Sequence, residues 1–240
     1  MRPERFAKLQ AVLDRRQPDL TVLAEDVHKP HNIAAILRTG DAVGITGLHA
    51  VSPGGEFARH RGISGGSRKW VRLHLHRDLE AAVGELKSSG FHIVAANLSS
   101  RSTDYRSWDF TRPTALMLGS ELLGVSAQAV GLAEGELHVP MRGLVASLNV
   151  SVAAAVILYE AARQREAAGL YEHCRLDPDT RRELLFEWCY PVVARHCRAR
   201  GLPYPALDAE GFMASREPAQ SLRSVLRGRG KAPHTSGAAS

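Results

Sequence analysis

Short apolar runs of strand length alternate with amphipathic stretches of helical spacing, and this alternation is what most restricts how the chain can fold. Runs at 20–24, 47–51, 71–75, 91–96, 114–118 and 137–139 predict six strands. Between them, 33–43, 79–87 and 127–133 carry apolar residues three and four apart, which predicts helices. Strands separated by helices are joined by crossovers, so the expected fold is α/β with a mostly parallel sheet whose carboxyl ends present the ligand site. The Ala-rich stretch 148–165 predicts the longest helix, with Val152, Val156 and Tyr159 on one face. A basic amphipathic helix is expected over 4–15, with Phe6, Leu9, Val12 and Leu13 on one face, ended by Pro18. Another helix is expected from Asp177-Pro178-Asp179-Thr180 through Leu184, Leu185 and Trp188. After Gly201-Leu202-Pro203-Tyr204-Pro205 the periodic apolar content is too low to predict a core. The expected division is a basic N-terminal helix (1–18), a central α/β domain (19–167) and a basic C-terminal extension (168–240), partly disordered after about 213.

Several classes of function are disfavoured by composition. The longest apolar run, 152–159, is far short of the roughly 18–20 residues that span a bilayer. The charged N-terminus lacks the pattern of a secretory signal, which predicts a cytoplasmic protein. Cys174, Cys189 and Cys197 form an odd set without C-x-x-C spacing, as expected for reduced thiols. The net charge of +6 is concentrated at the two ends. Residues 2–16 hold Arg2, Arg5, Lys8, Arg15 and Arg16 against Glu4 and Asp14, and the tail holds Arg216, Arg223, Arg227, Arg229 and Lys231 against Glu217. These are either solvated segments or arms that grip a polyanion.

Gly119-Ser120-Glu121-Leu122-Leu123-Gly124-Val125 follows a strand but has Val125 where a P-loop needs lysine, and no G-x-G-x-x-G follows the first strand. Its glycines predict only a sharp turn or a close approach of backbone. His28, His31, His74 and His76 have no nearby carboxylate or thiolate to complete a tetrahedral set, so no metal is expected. Ser67, His76 and Asp78 lack a nucleophile elbow and do not suggest a hydrolase. More specific are Asn32 near a helix start and Arg38 six residues on, amid Ile33, Ala34, Ala35, Ile36 and Leu37. Arg38 either points to solvent or pairs with an anion. Ser147 and Asn149 suit a helix cap, yet the polar cluster with Ser151, behind a glycine loop, exceeds what capping requires.

Taken together in this order, Asn32 through Arg38, the Gly119-x-Glu121-x-x-Gly124 loop, and Pro140-Met141 leading to Ser147-Leu148-Asn149-Val150-Ser151 resemble the SpoU/TrmH branch of the SPOUT RNA methyltransferases. Arg16-Gln17-Pro18-Asp19-Leu20-Thr21-Val22, His28-Lys29-Pro30-His31-Asn32 and Gly201-Leu202-Pro203-Tyr204-Pro205 are similar to the tRNA-modifying members. The likeness covers roughly residues 1–210. It departs at Trp188-Cys189, where a glycine pair is expected, and in the tail after Met213.

The resemblance implies a C-terminal trefoil knot, a homodimer, S-adenosyl-L-methionine as cofactor and 2′-O-methylation of guanosine 18 in the D-loop of tRNA, with no metal and no membrane. It implies that Ala96, Asn97, Leu98, Gly119, Val139, Met141 and Leu148 hold the cofactor, and that Arg38, Asn32, Glu121, Ser147 and Asn149 surround the reacting centre. Arg38 then either takes the hydroxyl proton itself or fixes a phosphate that takes it. Arg5, Lys8, Arg15, Arg16, Arg195, Arg198 and Arg200 are the expected RNA contacts. A ribosomal RNA methyltransferase and a catalytically silent RNA-binding protein of the same fold remain alternatives.

Overall fold

The computed structural model describes residues 2–52 and 69–214; Ser67 and the basic tail from Arg216 lie outside the described residues. Seven strands form one parallel sheet: β1 (Leu20–Glu25), β2 (Gly47–Val51), β3 (Arg72–His76), β4 (His92–Ala96), β5 (Thr103–Asp104), β6 (Thr114–Leu118) and β7 (Gly135–His138). Their order across the sheet is β3-β2-β1-β6-β4-β7-β5. The central strands β1 and β6 are buried along almost their whole length because both of their faces are covered. The two-residue β5, absent from the expected strands, pairs Thr103 with Leu137 and Asp104 with His138. Neither of its residues is apolar, so no hydrophobic run marks it.

Helices α2 (Pro30–Val43) and α5 (Val150–Ala167) cover one face, where Ile33, Ile36, Leu37, Ile157 and Leu158 pack on Leu20, Val22 and Leu116. Helices α3 (Leu79–Ser88) and α4 (Ala127–Leu132) cover the other, where Leu79, Val83, Leu86 and Ala129 pack on Leu23, Ile93 and Met117. Alternation of side chains along each strand divides the apolar residues between these two cores.

At the amino end of the sheet, the fully buried Arg165 near the end of α5 uses every nitrogen of its guanidinium. Nε donates to the Phe110 carbonyl at 2.8 Å, Nη1 to Asp19 Oδ1 at 2.6 Å and Gln17 Oε1 at 3.0 Å, and Nη2 to the Asp19 and Arg112 carbonyls. Arg175 closes a second fork on Asp19 at 2.6 and 2.8 Å. Burial raises the pKa of Asp19, but the bonds from the two guanidinium groups outweigh it and hold the carboxyl below its ordinary value. Arg16 is likewise buried, 1% exposed, and bonds Asp41 Oδ1 at 2.6 Å and the Ile45 carbonyl at 3.0 Å. This corrects its assignment as an RNA contact, since a guanidinium enclosed between chain segments presents no charge to a ligand.

Histidines 74 and 76, considered above for a metal, instead stack on His49. The ring centroids of His49 and His74 are 4.6 Å apart, those of His49 and His76 5.1 Å, and His49 Nδ1 lies 2.9 Å from His76 Nε2. Among the described residues no group of His, Cys, Asp and Glu is arranged to hold a metal ion. Burial, with His74 and His76 adding to it, pulls the pKa of His49 down from 6.5 to about 4.

Residues 14–176 form one compact unit, and helix α1 (Pro3–Leu13) groups with the chain from Asp177 onward in another. Residues 14–18 and 168–176, expected in the flanking segments, belong with the sheet: Gln17 Nε2 donates to the Leu170 carbonyl at 2.9 Å and the Tyr171 hydroxyl to the Val43 carbonyl at 2.7 Å. The second unit contains α6 (Pro178–Cys189) and α7 (Pro191–Ala199). Contrary to the sequence expectation, the chain beyond Pro205 contributes to a core: Leu207 and Met213 pack with Phe186, Val193, Ala194 and Cys197. Phe186 stacks on Tyr204 at 4.9 Å, and the Tyr190 hydroxyl donates to the Gly211 carbonyl at 2.8 Å. Gly211 has φ +83°, and a Cβ there would stand 2.5 Å from the Phe6 ring. Irregular chain that packs aromatic rings against helices has no hydrophobic period to detect. Trp188, where a glycine was expected, is buried. Burial pushes the Cys189 thiol up to about 11.

Arg165→Ala leaves Asp19 partly buried with one of its two cationic partners and is expected to cost about 3–5 kcal/mol, read from the midpoint of urea unfolding. For His49, the unfolded chain takes up a proton below about 6.5 that the native imidazole resists until about 4. Stability therefore falls as pH drops through that window, by about 3 kcal/mol at most. Unfolding midpoints measured across it check this, and His49→Phe flattens the slope.

Candidate active site

The loops leaving β4, β6 and β7 converge beyond the carboxyl ends of the strands, where they enclose a cavity of about 960 Å³. Ala96, Asn97 and Leu98 line it from the first loop and Gly119 from the second. Val139, Met141 and Leu148 line it from the third. All the residues expected to hold a cofactor thus share one cavity. Glu121, Ser147 and Asn149 line it as well. Lys29, Leu122, Leu123, His138 and Arg142, none of them expected in the site from the sequence, also line it. Lys29 lies within a quoted motif, and His138 and Arg142 adjoin Val139 and Met141, so all three could have been found by that proximity.

The two glycines of the 119–124 loop have a structural cause. Backbone groups of Ser120 and Gly124 bond each other reciprocally at 3.0 Å. A Cβ on Gly119 would lie 2.1 Å from the Gly124 carbonyl, and Gly124 itself has φ +70°. The narrow loop holds Leu122 and Leu123 outward, about nine-tenths exposed, at the cavity edge. The segment from Pro140 to Leu148 makes no backbone–backbone hydrogen bond among the described residues. Its N–H and C=O groups are therefore open to water or a ligand.

Glu121 organises the polar side of the site. Helix α2 begins after Lys29, which supplies no side-chain cap. The Glu121 carboxylate takes that place from a distant loop, accepting from the backbone N–H of His28 at 3.3 Å and of Lys29 at 3.2 Å. It also accepts from Asn32 Nδ2 at 2.6 Å. Burial raises the pKa of Glu121, and the bonds from Asn32 and the backbone groups outweigh that and lower it overall. Asn32 is 1% exposed and passes the link on, its Oδ1 accepting from Asn149 Nδ2 at 3.3 Å. Asn149 caps α5 with its other side-chain atom, Oδ1 accepting from the Ser151 N–H at 2.8 Å. Capping and site-building are thus combined in one residue.

Arg38 does not line this cavity; it is exposed on α2. Six residues of α-helix turn it about 120° from Asn32 and carry it about 9 Å along the axis. Of the expected RNA contacts, Arg5, Lys8, Arg15, Arg195, Arg198 and Arg200 are exposed. Arg198 pairs with Glu187 at 3.3 Å.

Glu121→Ala removes three accepted bonds and leaves buried Asn32 without its shortest one. It is expected to cost about 1–3 kcal/mol in urea unfolding, and Glu121→Gln, which keeps an acceptor oxygen, to recover part of that.

The SpoU rRNA Methylase family model matches residues 19–159, and the C-terminal model of SpoU rRNA methylases matches 163–215. The chain is 47% identical to the tRNA (guanosine(18)-2′-O)-methyltransferase of Escherichia coli, over 88% of this chain and 93% of that one. It is 53% identical to the protein of the same name from Thermus thermophilus, over 77% and 95%. Among solved structures, the A. aeolicus TrmH/SpoU tRNA modifying enzyme superposes with a TM-score of 0.73 at 42% identity, covering 78% of this chain and 96% of that one. The SpoU methyltransferase AviRb from Streptomyces viridochromogenes, solved with AdoMet, gives 0.54 at 28%, covering 64% and 62%. With the first model spanning more than half of the residues and the linked Glu121, Asn32 and Asn149 all within its matched segment, the chain belongs to the SpoU methylase family.

Proposed function

We propose that this protein transfers a methyl group from S-adenosyl-L-methionine to the ribose 2′-hydroxyl of guanosine 18 in tRNA. The observation that carries the reading is the convergence of Asn32, Glu121, Ser147 and Asn149, from three separated segments, around one cavity and its rim. The relatives at 47% and 53% identity, both named for this reaction, favour tRNA over ribosomal RNA. The full polar set speaks against a silent binding protein.

The cavity fits the cofactor: its volume lies within the range of small-ligand sites, and apolar walls of Leu98, Val139, Met141 and Leu148 stand beside open backbone groups from Pro140 to Leu148. When bound there, S-adenosyl-L-methionine supplies a sulfonium-activated methyl. The chain's own task is to align the ribose hydroxyl and stabilise the alkoxide that develops on it. Asn149, held by Asn32, fixes the loop end of the cavity, and Ser147, with no hydrogen bond among the described residues, is available to the ligand. Glu121 positions Asn32.

Arg38 is proposed to act in the site of a second copy. In support, it is exposed on α2, which packs beside α5, and α5 carries the exposed apolar pair Val152 and Tyr159 one stripe apart. A homodimer through these helices covers the apolar stripe and brings a cation to the neighbouring cavity. An exposed guanidinium is a cation, so it serves better by fixing a phosphate that accepts the hydroxyl proton than by accepting it directly. The trefoil knot of the resembled family belongs to this reading and is supported by the meeting of the 119–124 and 139–149 loops at one cavity. Arg5, Lys8, Arg15, Arg195, Arg198 and Arg200 are proposed to hold the tRNA backbone, with affinity that falls as salt rises. No helix among the described residues is long and apolar enough to cross a membrane, and a cytoplasmic location suits a tRNA substrate.

Labelled cofactor incubated with bulk tRNA and with ribosomal RNA, followed by nucleoside mapping, tests the assignment; label absent from tRNA guanosine overturns it. Arg38→Ala and Arg38→Lys abolish transfer while cofactor affinity stays within about twofold, read by calorimetry. Mixing Arg38→Ala with Asn149→Ala subunits restores part of the activity, because one mixed site then has both groups. No recovery in demonstrably exchanged subunits would place Arg38 outside the partner site.

A further inference from the structure

His138, at the end of β7, lines the cavity but belongs to none of the motifs above. Its protonation pattern follows from its one hydrogen bond. Ser102 Oγ lies 3.1 Å from His138 Nδ1, donates its single proton to the Ser99 carbonyl at 2.9 Å, and accepts from the Ser99 N–H at 3.2 Å. Of the two acceptors within reach of that proton, the Ser99 carbonyl is the nearer, and placing the proton there leaves Nδ1–H to donate to the second lone pair of the hydroxyl. The neutral imidazole therefore carries its free lone pair on Nε2, and Nε2 has no protein partner among the described residues.

The surrounding charges leave that lone pair free. Asp104, opposite His138 in the β5–β7 ladder, is held by Arg106 Nη2 at 2.6 Å. Glu136, two residues back on the same side of β7, is taken by Asn97 Nδ2 at 2.7 Å and Arg101 Nη2 at 2.8 Å. The other charged groups of the cavity lining are Lys29, Arg142 and Glu121, and Glu121 is committed to the start of α2. No carboxylate among the described residues bonds the ring.

Resting on the cofactor reading above, we infer that His138 Nε2 accepts a hydrogen bond from an N–H or O–H of the cofactor, so that cofactor affinity depends on this imidazole being neutral. Protonation turns Nε2 into a donor and adds a positive charge in a cavity that receives a sulfonium cation.

Calorimetric titration of the full chain with S-adenosylhomocysteine, which cannot turn over, tests this at about pH 8 and about pH 5.5. The native protein is expected to bind about three- to tenfold more weakly at the lower pH. His138→Gln, whose amide oxygen accepts without titrating, keeps the affinity seen at the higher pH and loses the slope. His138→Phe binds weakly at both. Adenosine as ligand places the donor: the same slope assigns it to the nucleoside half, and a slope seen only with the whole molecule assigns it to the amino-acid half. Equal native affinity at both pH values, or a slope that persists in His138→Gln, overturns the inference. Failure of the native protein to bind S-adenosylhomocysteine at either pH overturns the cofactor reading instead.

Discussion

A single carboxylate joins the parts of the site that lie farthest apart in the sequence. Glu121, on a tight loop after β6, accepts two backbone N–H groups at the start of α2 and the side chain of Asn32, and Asn32 reaches Asn149 at the start of α5. Two helices thus begin at one hydrogen-bonded cluster, one of them capped by a residue from a loop far along the chain. An anion at a helix start is favoured by the exposed N–H groups and the helix dipole. Those forces turn a loop residue into the reference point for the whole cavity.

The opposite end of the sheet makes this arrangement sustainable. Arg165 anchors the end of α5 to Asp19, Gln17 and backbone carbonyls, while Asn149 caps its beginning. The helix is held at both ends, and the irregular segment from Pro140 to Leu148 hangs between it and β7. A segment without backbone pairing of its own can keep a defined place when both of its ends are fixed. Rigidity is concentrated in buried ion pairs at the amino end of the strands, and openness in the loops at the carboxyl end.

Much of the fold could be read from the residues because apolar periodicity reports burial directly. The six expected strands are observed, as are the helices between them, since each must hide one or both faces. Asn32 and Asn149 were also readable, as polar residues placed where helices begin, whereas Glu121 entered only through the resemblance carried by its loop. Features without a period escaped: β5, whose two residues are polar; the core around Phe186, which draws Leu207 and Met213 from irregular chain; and the contact of His138 with Ser102, which joins separate segments. Arg16 was misread because a basic residue near a terminus looks exposed until Asp41 and the Ile45 carbonyl are seen to enclose it.

By itself the sequence determined the parallel α/β class, the elements and their faces, and the chemical types gathered at the loops, because each of these follows from local spacing and from the cost of exposing apolar surface. The tertiary structure alone decided which distant groups touch. It placed Glu121 on α2, buried Arg16, aligned His138 with Ser102 and turned Arg38 away from its own cavity. A hydrogen bond is made or lost within a few tenths of an ångström, and no pattern along the chain encodes a separation that only the packed helices and strands set.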